Sequence, residues 1–252
     1  MKALITGASS GIGRDMARYL SSLGYSLILV ARDKDKLQEL QQELKTDVKI
    51  IVADLASESK LKEIYVLCKN EHIDILINNA GFGALGDFDE VDLASEIEMI
   101  NVNIKAVHVL TKLFLKDMKK RNSGYILNVA SSAAFGPGPL MATYYSTKAY
   151  VFRLTTSIYE ELRRNKSKVV VSCLCPGPVD TNFSKRADVS FAIKPLSSSF
   201  VAKYAIDKMF KRKLIIIPGF KMKVTYFFER FLTTKTLAKF TYNIQKRKKT
   251  NH

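Results

Sequence analysis

The sequence predicts an α/β protein built on a doubly wound, seven-stranded parallel sheet, a single domain followed by a basic helical extension. Three observations carry that expectation: seven short apolar runs, amphipathic stretches alternating with them, and unusual polar residues placed just after the runs. The runs are Ala3–Thr6, Ser26–Ala31, Lys49–Ala53, Ile73–Asn78, Tyr125–Ala130, Val169–Cys175 and Leu214–Ile217. They are rich in Val, Ile and Leu and lack polar alternation, as strands covered on both faces do. Between them, Asp35–Leu44, Ser57–Lys69 and Tyr144–Arg164 have helical patterning. Strand and helix in alternation mark a parallel sheet with helices on both faces. No linker or repeat interrupts residues 1–218, which read as one domain, with 219–252 as the extension.

Bulk properties narrow the class. With 47% hydrophobic residues in 252, the chain can bury a sizeable core, which excludes disorder of the whole. Three cysteines, Cys68, Cys173 and Cys175, are too few for a disulfide framework, and Cys173 and Cys175, inside an apolar run, read as buried packing residues. The three histidines do not cluster with them, so no metal site is expected. The first strand pattern begins at Lys2, leaving no room for a cleavable signal peptide, and no apolar stretch approaches the ~20 residues of a membrane span. A reducing, cytoplasmic location is the expectation. The net charge of +16 is unevenly placed: residues 1–184 carry 23 Lys and Arg against 21 Asp and Glu, and residues 185–252 carry 17 against 3.

In a doubly wound sheet, ligands bind beyond the carboxyl ends of the strands. The first run is followed by Thr6-Gly7-Ala8-Ser9-Ser10-Gly11-Ile12-Gly13. Gly7 suits a tight turn, Gly11 a close backbone approach to a pyrophosphate, and Gly13 close packing of the next helix. The helix N-terminus would present N–H groups and a positive dipole end to phosphate. The second run ends Ala31-Arg32, where a cofactor with a free ribose 2′-OH would meet Asp or Glu. The Arg32 guanidinium suits a 2′-phosphate instead, so NADP(H) is the expected cofactor. Asp33 and Asp35 stand at a helix start, where carboxylates also serve as caps. Arg14 either supports the same phosphate or is merely solvated.

Tyr-x3-Lys occurs four times, at Tyr65, Tyr144, Tyr204 and Tyr242, but only Tyr144 has a serine, Ser131, thirteen residues upstream at a strand end. Tyr144 and Lys148 stand one helical turn apart and share a face. A lysine charge about 5 Å from the phenol, at an effective dielectric of ~20, contributes about 3 kcal/mol and would draw the phenol from about 10 to about 8.

Taken as a set, Gly7–Gly13, Asp54, Asn78-Asn79-Ala80-Gly81, Asn103, Ser131, Tyr144-x3-Lys148 and Pro176-Gly177-x-Val179-x-Thr181 resemble the short-chain dehydrogenase/reductase family over about residues 1–185. The resemblance implies a Rossmann-like fold and hydride transfer between NADP(H) and a carbonyl or alcohol. It implies that Tyr144 exchanges the proton and that Lys148 lowers the tyrosine pKa and holds the nicotinamide ribose. Ser131 would bond the reacting oxygen, with adjacent Ser132 as competitor, and Asn103, with Asn101 as competitor, would anchor a relay water or serve as a structural amide. Asp54 and Leu55 would lie at the adenine, unless Asp54 serves the turn. Asn78 and Gly81 would steady the central strand and let the cofactor ribose approach, with Asn79 and Ala80 also in the cofactor-binding set. Val179 and Thr181 would meet the carboxamide, after the sharp strand exit made by Pro176 and Gly177. The resemblance also implies a homo-oligomer.

Phe183–Phe200 falls where the family places a substrate lid. Phe183, Phe191, Ile193 and Leu196 are candidates for one apolar wall, and Phe135, Pro139, Leu140 and Met141 for the other. Such a pocket suits an apolar ketone, aldehyde or acyl-linked carbonyl. Beyond Gly219, aromatics and lysines mix at helical spacing, which suits an anionic membrane surface or an extra packed helix. Nucleic acid is not expected, because no binding module accompanies the basic stretch. The other functional class left open is a non-catalytic dinucleotide-binding sensor or recruitment module.

Overall fold

The computed structural model describes residues 1–181, 183 and 194–249, with side chains described as far as residue 246. All seven apolar runs are strands of one sheet. β1 (Lys2–Thr6), β2 (Ser26–Ala31), β3 (Val48–Val52), β4 (Ile75–Asn78), β5 (Tyr125–Val129), β6 (Val170–Leu174) and β9 (Ile215–Ile216) lie in the order β3-β2-β1-β4-β5-β6-β9. Every neighbouring pair is parallel. A separate two-stranded ribbon pairs β7 (Val179–Asp180) with β8 (Leu196–Ser197).

The alternation of side chains along each strand explains why the runs are apolar throughout. On one face Ala3, Ile5, Leu27, Leu29, Ile75 and Ile77 bury against α1 (Gly11–Ser22), α2 (Lys34–Glu43) and α7 (Ser198–Phe210). On the other, Leu4, Ile28, Val30, Leu76 and Ile126 bury against α3 (Glu58–Cys68), α5 (Val107–Lys120) and α6 (Ala142–Arg164). Shifting any strand by one residue would exchange the two sets, so burial on both faces fixes the register.

The strand order reverses between β1 and β4, and both strands end in a cleft there. At that end α4 (Leu93–Ile100) runs into α5 through a π-helical stretch, Asn101–Ala106. This wider turn is not visible in the apolar pattern. The extension forms α8 (Phe220–Glu229) and α9 (Thr234–Lys249), which turn back over the domain. Met222 and Tyr226 pack against the cluster of Ala130, Val151, Phe152 and Ile217, and Leu237 fills the space that Gly136 leaves.

All three cysteines are buried free thiols, and Cys68 closes helix α3 within the stretch Ser57–Lys69 expected as a helix. No group of metal-ligating side chains forms among the described residues. Within the same residues no helix is long and apolar enough to cross a membrane.

Candidate active site

The cleft is built first by the turn after β1. Gly7 has φ +64°, and a Cβ there would come within 2.8 Å of the Ala80 backbone. A Cβ on Gly13 would fall 2.4 Å from Asn79 Nδ2 and from Gly7 O, so α1 can approach the strands only because that residue is glycine. Asn79 Nδ2 in turn donates to Thr6 O at 3.1 Å and Gly7 O at 3.2 Å, tying the end of β4 to the turn. Thr6 Oγ1 accepts from the Asn79 and Ala80 amides and donates to Ile77 O. Thr6 and Gly13 therefore shape the cleft from behind, while Gly7, Ser9, Ser10, Gly11 and Ile12 line it.

The Ser10 side chain does not cap α1, and the first turn of that helix holds no acidic residue. Its leading N–H groups thus meet the cleft with a positive dipole end and no competing carboxylate, a fit for a pyrophosphate. Arg32, Asp54, Leu55, Ala80, Gly81, Pro176, Gly177, Val179 and Thr181 also line the cleft, together with Asn79. Asp54 Oδ1 accepts from the Ala56 amide at 3.0 Å, so it serves the turn as well as the wall.

Arg32 donates to Glu98 Oε1 at 2.9 Å, and both side chains are exposed. An exposed pair of this kind contributes at most about 1 kcal/mol, so the guanidinium is readily released to a phosphate. Asp33 lines the cleft beside Arg32 but is already engaged, as the N-cap of α2 accepting from the Lys36 amide and ammonium. Arg14 is exposed and does not line the cleft.

The second half of the site comes from β5 and α6. Tyr144, Lys148, Val151 and Thr155 make one buried stripe of α6, at i, i+4, i+7 and i+11. Lys148 Nζ donates to Val129 O at 3.0 Å, at the end of β5. A Cβ on Gly81 would lie 3.0 Å from that ammonium and 2.9 Å from Asn103 Oδ1, so only glycine leaves room there. Leu140, just ahead of α6, holds a left-handed φ of +64°, a costly conformation for a branched residue.

Both candidate serines line the cleft, and they differ in what they touch. The Ser131 hydroxyl hydrogen-bonds Tyr144 and accepts from the Ala133 amide at 3.1 Å. Ser132 lines the cleft too, but its contact is the backbone amide donating to Pro176 O.

The electrostatics depart from the sequence-based expectation. Tyr144 is pushed up to about 12 by burial, partly offset by the Ser131 hydrogen bond. Burial pushes Lys148 down to about 8. Its Nζ lies 5.8 Å from the Tyr144 ring centroid. The expected descent of the phenol toward 8 counted the lysine charge and not the removal of both groups from water, and desolvation is the larger effect.

Asn103 sits in the π-helical stretch and does not line the cleft. Its amide is fully engaged: Nδ2 donates to Phe82 O at 2.9 Å and Thr147 Oγ1 at 3.0 Å, and Oδ1 accepts from the Phe82 amide at 3.1 Å. It clamps the wall segment that follows β4. Asn78 plays a similar part inside the sheet, donating to Asn128 Oδ1 at 2.8 Å and Thr111 Oγ1 at 3.0 Å.

The substrate end differs from the expected walls. Met141 and Phe183 line it, with Phe183 5.3 Å from the Tyr144 ring. Phe135 is turned away into the core against Phe152 and Tyr226, Leu140 is buried, and Leu196 packs on the opposite core. Pro139 also stands outside the lining, while Phe191 and Ile193 lie outside the described residues. In their place Phe82, Val102, Ala133, Tyr145 and Gln245 complete the wall. Gln245, from α9, is 1% exposed and donates to Tyr145 Oη at 2.8 Å. Nothing local marks it in the sequence, since a contact across a hundred residues leaves no periodic signal.

Comparison with known proteins places this geometry. The very-long-chain 3-oxoacyl-CoA reductase of Anas platyrhynchos is 34% identical over 209 residues, spanning 79% of this chain and 66% of that protein. A short-chain dehydrogenase from Sphingobium yanoikuyae, solved in complex with NADPH, superposes with TM-score 0.81 at 29% identity, covering 87% of this chain and 88% of that one. A short chain dehydrogenase/reductase from Burkholderia phymatum, solved with NAD, gives TM-score 0.81 at 25% identity over 89% and 91%. Residues 1–189 match the family described as short chain dehydrogenase. With its seven-stranded parallel sheet and nicotinamide-dinucleotide cleft, the chain is an oxidoreductase that belongs to the short-chain dehydrogenase/reductase family.

Proposed function

We propose that the protein is an NADPH-dependent reductase of apolar carbonyl compounds, with Tyr144 as proton donor. The observation that carries this reading is the buried Tyr144 phenol, hydrogen-bonded to Ser131 and one helical turn from Lys148, at the apolar end of the cleft. NADPH, when bound, supplies the hydride. Tyr144 keeps its proton at neutral pH because burial holds it near 12. A carbonyl carbon that accepts hydride leaves an alkoxide on oxygen, a much stronger base than phenolate, so the proton passes from Tyr144 Oη to that oxygen. Ser131 Oγ bonds the same oxygen as its charge develops. Lys148, with a pKa of about 8, is still largely charged near neutrality and stabilises the phenolate left behind. At neutral pH the phenol is therefore in the protonated form that reduction needs.

Preference for NADPH rests on Arg32 at the cleft rim and on the engagement of Asp33 as a helix cap, which removes the nearest competitor for a ribose diol. The wall of Phe82, Val102, Met141 and Phe183 supports an apolar substrate, and the very-long-chain 3-oxoacyl-CoA reductase relative suggests acyl-linked carbonyls. A homo-oligomer, a cytoplasmic location suited to three free thiols, and a peripheral membrane contact through residues 219–252 belong to the same proposal. The test is consumption of NADPH and of NADH against ketones, aldehydes and 3-oxoacyl thioesters of increasing chain length, with the alcohol isolated. The expected result is turnover rising with chain length and favouring NADPH. Activity confined to small polar ketones, or a preference for NADH, would refute the reading.

A further inference from the structure

Helix α8 is amphipathic in an inverted sense. Its inward residues, Met222 and Tyr226, make modest contacts with the core, and no residue of the helix is fully buried. Phe220, Val224, Phe227, Phe228 and Phe231 recur at i, i+4, i+7, i+8 and i+11, which is one face of a helix. Four of them are left 79%, 54%, 61% and 72% exposed (Phe220, Phe227, Phe228 and Phe231). Phe227 stacks edge-on with both Phe228 and Phe231, at 5.5 and 5.4 Å between centroids, so the rings form one patch. An apolar face this size turned to water marks an interaction surface.

Charge selects the occupant. Residues 219–252 hold nine Lys and Arg and one carboxylate, Glu229. Burial raises the Glu229 pKa, and its Oε2 is enclosed, so Lys221, Lys223 and Arg230 flank the aromatic face without an exposed carboxylate on their helix. A second copy of the same surface would bring like charges together, whereas an anionic lipid headgroup layer complements them. A helix of ten residues with this pattern lies in the interface rather than crossing it.

We propose that the aromatic face of α8, with Phe231 just beyond it, docks the protein on anionic bilayers, the rings entering the headgroup–acyl boundary and the lysines contacting lipid phosphate. The same helices border the substrate end of the cleft, since Met222 lies against Gly177 and α9 supplies Gln245 to the wall. Docking therefore brings the cleft beside a source of lipid-soluble carbonyl compounds. That last step rests on the reductase reading, while docking itself does not.

The experiment is flotation of the full chain with phosphatidylserine-rich vesicles and with phosphatidylcholine alone, at low and high salt. Each exposed cation near an anionic surface contributes about fivefold, so three predict about a hundredfold weaker partitioning on phosphatidylcholine. Phe227→Ser with Phe231→Ser removes the buried apolar area and lowers partitioning on the anionic vesicles about tenfold or more. Thermal unfolding and NADPH binding stay at wild-type values, because both side chains are exposed. The chain has no tryptophan, so Phe228→Trp supplies a single indole. Its emission shifts to the blue on anionic vesicles and is quenched by spin-labelled acyl chains. Failure to float, flotation unaffected by the double substitution, or a dimer dissolved by it without vesicle binding would each overturn the proposal. None of these readouts involves turnover, so the reductase reading stands or falls separately.

Discussion

Replacing Lys148 by Met stabilises the fold while abolishing turnover. The ammonium titrates at about 8 against an ordinary 10.5, with burial as the cause. A displacement of that size corresponds to about 3 kcal/mol of unfavourable free energy for keeping the charge inside. Met has a similar length and no charge, so its substitution removes that cost. It also removes the hydrogen bond to Val129 O, worth about 1 kcal/mol. The net gain is about 2 kcal/mol, or about 4–8 °C in Tm for a chain of this size. The pH dependence isolates the cause. Below about 8 both folded and unfolded wild type hold the proton, and the cost is fully present. Between about 8 and 10.5 the folded protein releases it first, so wild-type stability rises. Urea unfolding of both proteins without cofactor, from pH 7 to 10.5, should therefore show the variant's advantage shrinking with pH and ending slightly negative. A variant less stable than wild type at pH 7, or an advantage independent of pH, would show that the buried Lys148 charge does not cost the fold stability.

Three further outcomes follow from the site. Arg32→Ala lowers kcat/KM for NADPH by about 10–100-fold and leaves NADH within about threefold, read by initial rates with each cofactor. Ser131→Ala lowers kcat by about 10²–10³, while Ser132→Ala stays within about threefold, because only Ser131 reaches the phenol. Asn103→Ala loses three buried hydrogen bonds, two to the Phe82 backbone and one to the Thr147 hydroxyl. It destabilises the protein by about 2–4 kcal/mol in urea unfolding.

The legible part of the molecule was the part governed by local pattern. Strands buried on both faces must be apolar throughout, so all seven appear as runs, and the glycines of the first turn announce close approaches that a Cβ would forbid. Position along the sheet singled out Tyr144 and Lys148 from four equivalent spacings. What stayed hidden depends on three-dimensional surroundings. The π-helical stretch around Asn103 has no composition of its own, and Phe135 looked like a pocket residue because a sequence cannot say which face of a short 3₁₀ turn meets the core. The direction of the Tyr144 pKa escaped for the same reason: spacing supplies the neighbouring charge, and only the fold supplies the dryness. Gln245 reaches the cleft from the far end of the chain.

In the proposed reduction Tyr144 gives the proton to the carbonyl oxygen. The most direct test of this transfer is NADPH oxidation by wild type and Tyr144→Phe with a saturating long-chain ketone, NADPH binding being measured in parallel. Loss of about 10³-fold or more in kcat, with the cofactor dissociation constant within about threefold, is the predicted result. Turnover by the Phe variant within about tenfold of wild type would contradict it, because the proton would then reach the alkoxide without the phenol.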